Sequence, residues 1–364
     1  MKMKLSDFNR KQLTVSSGMN YSYIDQAPPA GIDTRETVLC FHGFPDFSYG
    51  WRYQIQELTQ RGYRVIVPDQ AGCGDTDKPV GELKFYTILA AVNAAVEILK
   101  HENINDQVVV LGHDWGGLIA WRFLQYRSAQ VKAIAVLCTP PSPAGQQGQK
   151  EPDIDFIISR IPTFGYQKWF QTPEADATID PNSREFMMMA YWNIWSGAWK
   201  PDDGVWSHEG NLEKMINETI PKLQAADVPS SELQEYVDTF TNGGMRGPLS
   251  WYKTRVLNFH DEVDNHLPVT FPPRVPCLML AATNDGALPL EMSDPAKLAP
   301  LFPDNNLERK VMESSDHWLL QDPRIRHKVV KTVGDWVDAR CGHQKTSMHV
   351  EAPISGKVNV SVVA

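Results

Sequence analysis

Short apolar runs alternate with longer helix-forming segments along much of this chain. The apolar runs lie at residues 37–41, 64–68, 107–111, 131–137 and 276–281, and a further strand, with charged residues at its start, is predicted at 308–312. Helical patterns lie between them, notably at 86–102 and 116–126. Runs that are nearly all apolar are typical of strands buried on both faces of a parallel sheet. The alternation therefore predicts an α/β fold with a mostly parallel, doubly wound sheet and right-handed crossovers.

The alternation stops after the proline-rich segment 139–143. From there to about residue 271 no comparable apolar run occurs, and aromatic, helix-forming segments dominate. Sheets of this kind bind ligands beyond the carboxyl ends of their strands, so an insertion of this size predicts a helical cap over that edge. We therefore predict a core formed by residues 1–140 and 265–340, a helical cap domain at 141–264, and a flexible C-terminal tail at 341–364.

The composition narrows the class of protein. The chain has 364 residues, of which 42% are hydrophobic and 10% aromatic, as is normal for a globular protein with a sizeable core. Its net charge of −9 argues against a nucleic-acid or anionic-membrane partner. No apolar run is long enough to span a membrane, the amino terminus lacks an apolar signal segment, and the five cysteines show no zinc or disulfide spacing. We expect a reduced, cytoplasmic protein without a bound metal.

The segment 109–117, which reads VVLGHDWGG, has the shape of a nucleophile elbow. In that motif an apolar strand enters a tight turn framed by glycines, and the residue at the apex is exposed where a helix begins. Here the apex residue is Asp114 rather than serine. A serine that attacked a saturated carbon would form an ether that water does not cleave, whereas an aspartate forms an ester that water can hydrolyse. The elbow favours Asp114 as the nucleophile of a displacement at sp3 carbon, although aspartate is also a common helix N-cap.

A covalent ester on Asp114 needs a base that activates water. His317 follows the last predicted strand, and Asp285 follows the strand before it. Nucleophile, acid and histidine come in the same order in α/β-hydrolases. A neutral imidazole can take a proton from water at pH 7, and Asp285 would fix its tautomer and stabilise the imidazolium. By itself, Asp285 is better explained as a turn residue, because Asn-Asp-Gly is a turn sequence.

The loop at 41–46, after the first predicted strand, supplies a further part of such a site. It reads FHGFPD, and the backbone N–H groups of Phe44 and of Trp115, the residue after the nucleophile, would form an oxyanion hole. These donors would stabilise the oxyanion that forms when water attacks the ester carbonyl. Pro45 has no N–H and stiffens the turn. We expect His42 and His113 to support the surrounding structure rather than to react.

Together these motifs resemble the soluble epoxide hydrolases of the α/β-hydrolase fold. The resemblance covers roughly residues 10–340 and includes HGFP at 42–45, GHDWGG at 112–117, DHW at 316–318 and, in the predicted cap, YQKWFQTP at 166–173 and RGPLSWY at 246–252. It implies that Tyr166 and Tyr252 act as acids toward the epoxide oxygen, and it places Trp115, Phe44 and Gln167 in contact with the substrate. A phenol with a pKa of about 10 is protonated at pH 7 and can serve in that role. The implied reaction joins an epoxide and water into a vicinal diol, and it needs no metal and no organic cofactor.

Two other functions stay open on the sequence alone. Haloalkane dehalogenases share the aspartate elbow and the tryptophan after it, but a halide leaves as a stable anion and gives tyrosines in the cap no role. A non-catalytic ligand receptor on the same fold is the second alternative, and the intact Asp114, Asp285 and His317 argue against it. The apolar stretch 187–195 predicts either a helix buried against its neighbours or one wall of a hydrophobic pocket, which favours an apolar epoxide.

Overall fold

The computed structural model describes residues 3–196 and 200–341, and its centre is an eight-stranded sheet. The strands are β1 (Arg10–Thr14), β2 (Asn20–Gln26), β3 (Thr37–Phe41), β4 (Arg64–Pro68), β5 (Val108–His113), β6 (Val131–Leu137), β7 (Cys277–Ala282) and β8 (Leu307–Met312). Their order in the sheet is β1-β2-β4-β3-β5-β6-β7-β8. Strand β2 pairs antiparallel with β1 and β4, and the other pairs are parallel. The predicted mostly parallel α/β sheet is confirmed.

The sequence pattern predicts six of these eight strands and misses β1 and β2. The ends of the six differ from the prediction by at most two residues. Strand β1 is half-exposed at the sheet edge, and β2 buries polar residues, among them Asp25. Burial of this carboxylate is compatible with the core because Arg64 and Lys11 pair with it at 2.7 and 2.5 Å. Hydrophobic periodicity carries no sign of such ion pairing.

Helices cover the sheet and fill the long connection between β6 and β7. The first helices of the core are α1 (Arg52–Gln60), α2 (Ile88–His101) and α3 (Trp115–Tyr126). The inserted helices are α4 (Ile154–Arg160), α5 (Gly165–Phe170), α6 (Pro173–Ile179), α7 (Ser183–Ala190), α8 (Trp192–Trp195), α9 (Asn211–Leu223), α10 (Ser231–Gly243), α11 (Arg246–Leu249) and α12 (Arg255–Asp264). The core continues with α13 (Pro295–Leu298) and α14 (Arg326–Cys341). The described part of the insertion is helical, while its division from the core as a separate domain at 141–264 stays a prediction.

The inserted helices pack on the loop that follows β3. Phe44, Phe47 and Tyr49 of this loop share one buried apolar cluster with side chains of α5, α7, α9 and α10. A buried ion pair joins the same two parts of the chain, because Arg52 of α1 and Glu232 of α10 lie 3.0 Å apart with 0% and 6% of their side chains exposed. The insertion therefore covers the carboxyl end of β3, where the predicted oxyanion loop begins.

The carboxyl-terminal helix α14 ends at Cys341, the first residue of the predicted tail at 341–364. The rest of that tail lies outside the described residues. No helix within residues 3–196 and 200–341 has the length and apolar character needed to cross a membrane. All five cysteines are buried and unpaired, in agreement with their irregular spacing in the sequence.

Candidate active site

The turn between β5 and α3 holds Asp114 in a backbone conformation that side chains rarely adopt. Its φ is +55° and its ψ is −124°, so the backbone is strained at this residue. Asp114 occupies the N-cap position of α3, but its carboxylate makes no capping hydrogen bond there, so capping does not explain this side chain. Gly116 permits the turn, because a Cβ at this position would lie 2.0 Å from the carbonyl oxygen of Phe41. The strained turn directs the carboxylate into a cavity instead of back onto its own helix.

Backbone N–H groups hold the Asp114 carboxylate. The N–H of Phe44 donates to Oδ1 of Asp114 at 2.7 Å, and the N–H of Trp115 also stabilises the charge. Gly43 permits this approach, since a Cβ on it would lie 2.3 Å from Oδ1. Burial acts to raise the pKa of Asp114, but the hydrogen bond and charge of His317, together with these donors, hold the pKa below its usual value. Asp114 is therefore ionised at neutral pH, and both predicted oxyanion donors face its carboxyl group.

His317 lies between two carboxylates. Its Nε2 is 3.3 Å from Oδ2 of Asp114, and its Nδ1 is 2.8 Å from Oδ2 of Asp285. Oδ1 of Asp285 accepts hydrogen bonds from the backbone N–H groups of Ala287 and Leu288 at 3.0 and 2.8 Å, so this residue closes its turn and also orients the imidazole. Burial acts to lower the pKa of His317, but the charges and hydrogen bonds of both aspartates outweigh burial and raise the pKa well above its usual value. The free site therefore favours an imidazolium paired with two carboxylates.

Two phenols face the same cavity from the insertion. Tyr166 lies on α5, and Tyr252 lies in the short 3-10 turn Ser250–Lys253 that follows α11. Their ring centroids are 5.9 Å apart and their hydroxyl groups are hydrogen-bond partners. Burial raises the pKa of both phenols above the usual value, so both are protonated at neutral pH. Two acids and an ionised Asp114 therefore line one cavity.

The cavity has a volume of about 490 Å³ and a largely apolar wall. Apolar side chains that line it include Phe44, Phe170, Phe186, Met189, Leu212 and Met215. The stretch 187–195 is in part buried against its neighbours and in part a wall of the cavity, the two alternatives that the sequence left open. Met187 and Met188 are fully buried, whereas Met189 and Ala190 line the cavity.

Of the three predicted substrate contacts, one residue lines the cavity and the other two contact the tyrosines from outside it. Phe44 lines the cavity, whereas Trp115 and Gln167 are absent from its described lining. The ring of Trp115 packs edge-on against Tyr252 with centroids 5.3 Å apart. Nε2 of Gln167 donates to the hydroxyl oxygen of Tyr166 at 3.3 Å. Trp115 and Gln167 therefore each support one of the two tyrosines.

His42 and His113 have structural contacts, as the sequence predicted. Nδ1 of His42 donates to the carbonyl oxygen of Gly43 at 2.9 Å, and its Nε2 accepts from the N–H of Gln70 at 2.8 Å. Nε2 of His113 donates to the carbonyl oxygen of His317 at 2.8 Å. Burial lowers the pKa of both imidazoles, that of His113 to about 4. Both rings are therefore neutral and hold the loops of the site in place.

Some neighbours of the site were not foreseen from the sequence. Trp206 packs over Tyr166 with centroids 5.3 Å apart, and its indole N–H donates to Asp202 at 2.9 Å. Trp318 packs against Tyr191, whose hydroxyl donates to a backbone carbonyl of the oxyanion loop at 2.8 Å. The motif DHW points to Trp318 and the apolar stretch 187–195 contains Tyr191, but Asp202 and Trp206 lie in a part of the insertion without any recognisable spacing.

Comparison with known proteins gives the family. The family model of the α/β hydrolase fold matches residues 36–322. Epoxide hydrolase srdG from Neurospora crassa is 30% identical over 334 residues, which cover 88% of this chain and 93% of that protein. Bifunctional epoxide hydrolase 2 from Mus musculus is 30% identical over 318 residues, which cover 86% of this chain and 53% of the longer relative. The crystal structure of epoxide hydrolase A from Mycobacterium thermoresistibile is 24% identical and has a TM-score of 0.72, over 90% of this chain and 98% of that chain.

The sheet order, the strained carboxylate after β5 and the acid and histidine after β7 and β8 define an α/β-hydrolase. The similarity to the solved structure supports the same fold. The identity along nearly the whole fungal relative is more specific, and on this ground the chain belongs to the epoxide hydrolase family. The resemblance drawn from the motifs is confirmed.

Proposed function

We propose that this protein hydrolyses epoxides to vicinal diols through a covalent ester on Asp114. The observation that carries the proposal is an ionised carboxylate that shares one cavity with two protonated phenols. An alkoxide is a poor leaving group unless an acid protonates it, whereas a halide needs none, so the phenols favour an epoxide over a haloalkane. The contacts of His317 with Asp285 favour catalysis over simple ligand binding. Relatives named epoxide hydrolases support this assignment.

In the first step Oδ2 of Asp114 attacks an epoxide carbon while Tyr166 and Tyr252 bind the oxygen. The carbon–oxygen bond of the ring breaks, its electron pair goes to the oxygen, and a phenolic proton neutralises the alkoxide. The product is a hydroxyalkyl ester that carries no charge. His317 thereby loses one of the two anions that raise its pKa, so its imidazolium becomes more acidic and releases a proton. Ester formation itself produces the neutral base that the second step needs.

In the second step water attacks the ester carbonyl of Asp114. Neutral His317, held at Nδ1 by Asp285, takes a proton from this water at Nε2. The oxyanion develops on Oδ1, which already accepts a hydrogen bond from the N–H of Phe44 at 2.7 Å. Collapse of the tetrahedral intermediate releases the diol, and the oxygen atom of the water remains in the carboxylate of Asp114. These steps use no metal and no organic cofactor.

We further propose an apolar epoxide as substrate and the cytoplasm as the location. The apolar cavity wall and its volume of about 490 Å³ suit an aryl or lipid-like molecule. All five cysteines are unpaired, which fits a reducing compartment.

The His317→Gln variant tests the proposal by trapping the ester. Without a base the ester should persist, and mass spectrometry should find the mass of styrene oxide added to the peptide that contains Asp114. His327→Gln is the matched control, because His327 is exposed on α14 and the same substitution there should trap nothing. Turnover of His317→Gln without an adduct would show that the base is assigned wrongly. Halide release from a haloalkane by the wild-type protein, with no diol from styrene oxide, would refute the proposed reaction.

A further inference from the structure

Hydrogen bonds connect a cation to one of the two phenols. Nη2 of Arg255, the first residue of α12, donates to Oε1 of Gln167 at 2.5 Å. Nε2 of Gln167 in turn donates to the hydroxyl oxygen of Tyr166 at 3.3 Å. A guanidinium can only donate, so the oxygen of Gln167 must face Arg255 and its NH2 group must face Tyr166. The hydroxyl oxygen of Tyr166 therefore accepts this bond, and its own hydrogen can point into the cavity.

Arg255 lacks an anionic partner within the described residues 3–196 and 200–341. No carboxylate oxygen there lies within 4.0 Å of its guanidinium, and its buried Nε has no hydrogen-bond partner among them. Burial lowers the pKa of Arg255, and Tyr166, when its phenol is ionised, opposes this effect. Lys253, two residues earlier, is by contrast paired with Asp176 at 2.6 Å. Arg255 is partly exposed, and within the described residues the buried part of its guanidinium gains no carboxylate in return for the water it loses.

The other charged groups around Tyr166 act in the opposite direction. Burial and the negative charges of Asp114 and Asp285 raise its pKa, and Tyr252 is its hydrogen-bond partner. Arg255 is the cation that favours the phenolate form of Tyr166. Burial, Tyr166 and Asp114 raise the pKa of Tyr252, and a hydrogen bond from the side chain of Trp115 lowers it. The two phenols therefore stand in different electrostatic environments.

We propose that Arg255 is a positioning residue that, through Gln167, makes Tyr166 the phenol that gives up its proton during ring opening. This inference rests on the proposed function. As Asp114 forms the ester bond, the electron pair of the broken carbon–oxygen bond goes to the epoxide oxygen, which takes the proton of Tyr166. The amide N–H of Gln167 and the charge of Arg255 stabilise the phenolate that remains. Tyr252 keeps its proton and holds the same oxygen by a hydrogen bond.

The protons balance over the complete cycle. The proton that the His317 imidazolium releases to solvent after ester formation returns to it from solvent when Asp114 is ionised again. During ester hydrolysis water gives up both of its protons, because its oxygen ends in the ionised carboxylate of Asp114. One proton goes through His317 to the second hydroxyl group of the diol, and the other restores the phenol of Tyr166. Tyr166 is therefore ready for the next substrate without any further reactant.

The Arg255→Met variant tests the inference when the two chemical steps are timed separately in single turnovers. Loss of the cation raises the pKa of Tyr166 and should slow ring opening of styrene oxide roughly tenfold, the effect of about one pKa unit. Ester hydrolysis should keep its wild-type rate. Arg255→Met should slow ring opening less with 1,1,1-trifluoro-2,3-epoxypropane, because the alkoxide formed from this epoxide is less basic and needs less help from an acid. Arg255→Lys retains the charge and should recover most of the ring-opening rate.

Lys253→Met is the matched control for removing a positive charge from the same segment. Its charge is paired with Asp176, so both rate constants should stay within about twofold of wild type. Equal slowing of both steps by Arg255→Met, equal losses with the two epoxides, or an Arg255→Lys variant no faster than Arg255→Met would overturn the inference. A wild-type protein that never forms an ester on Asp114 would instead overturn the proposed function, so the two failures are distinguishable.

Discussion

The Asp285→Asn substitution should separate the two chemical steps, because it changes the tautomer of His317 with little change in shape. Oδ1 of Asp285 accepts from the N–H groups of Ala287 and Leu288 at 3.0 and 2.8 Å, so an asparagine keeps its carbonyl oxygen there. Its NH2 group then faces Nδ1 of His317, which now lies 2.8 Å from Oδ2. A donor at this place forces the imidazole proton onto Nε2, the atom that must accept a proton from water.

The expected loss comes from the wrong tautomer and from the missing charge. Assistance by a general base contributes about 10²–10⁴ in rate. A carboxylate about 4 Å from an imidazolium contributes on the order of 4 kcal/mol at an effective dielectric constant of about 20. We therefore expect Asp285→Asn to slow ester hydrolysis by about 10³-fold or more. Ring opening should slow by less than about tenfold, since Asp114 and both phenols stay in place.

Single turnovers with enzyme in excess over styrene oxide measure both steps in one experiment. Mass spectrometry follows the ester on the peptide that contains Asp114, and chromatography follows the diol. The variant should accumulate ester and release diol slowly. Asp294→Asn is the matched control, because Asp294 caps the short helix α13 through the N–H of Ala296 at 2.8 Å, and its two rate constants should match wild type. If Asp285→Asn slows both steps by the same factor, or accumulates no ester, the reasoning about the tautomer is refuted.

Three further predictions concern stability, acid catalysis and pH. Glu232→Ala removes the carboxylate from the fully buried guanidinium of Arg52 and should lower the free energy of unfolding in urea by about 3–5 kcal/mol. Glu57→Gln, in a partly exposed ion pair, should cost about 1 kcal/mol or less, and equal losses would contradict the importance of the buried pair. Tyr252→Phe should slow ring opening by about 10²-fold and ester hydrolysis far less, whereas equal slowing would argue against its contact with the epoxide oxygen. Two carboxylates raise the pKa of His317 in the free protein, and one of them is neutral in the ester. The rate of ester hydrolysis should therefore rise with pH, and the midpoint of this rise should lie below the pKa of His317 that NMR measures in the free protein. A midpoint above that pKa would contradict the mechanism.

The core of the fold and the order of the catalytic groups could be predicted from the sequence because their signals are local. A strand that is buried on both faces must be apolar along its whole length, and this strained turn has a glycine two residues to either side of its apex. The segment around Asp114 shows both features within nine residues. Asp285 was recognisable because it closely follows such a strand, and His317 because it follows the last predicted strand, β8. The edge strand β1 escaped prediction because half of its surface faces water.

The residues that contact the two tyrosines from outside the cavity could not be predicted in the same way. Arg255 and Gln167 are 88 positions apart in the chain, and only the packing of α5 against the segment after α11 brings them together. The contact of Trp206 with Tyr166 likewise joins the 3-10 turn Val205–Ser207 to helix α5. Sequence motifs reveal functional residues that are close together in the chain. Residues that shift the pKa of an acid from a distant part of the chain are brought near it only by tertiary packing. Gln167 illustrates the difference, because its motif implied a substrate contact and the structure gives it a contact with Tyr166.

The covalent ester on Asp114 is the central claim, and a single turnover in 18O-labelled water tests it most directly. Enzyme is mixed in excess with styrene oxide, and the diol and the peptide that contains Asp114 are weighed by mass spectrometry after one cycle. If water attacks the ester carbonyl, the first diol carries no label and the carboxyl group of Asp114 gains one labelled oxygen. Labelled diol from the first cycle, together with an unlabelled Asp114, would mean that water attacks the epoxide directly and would contradict the account.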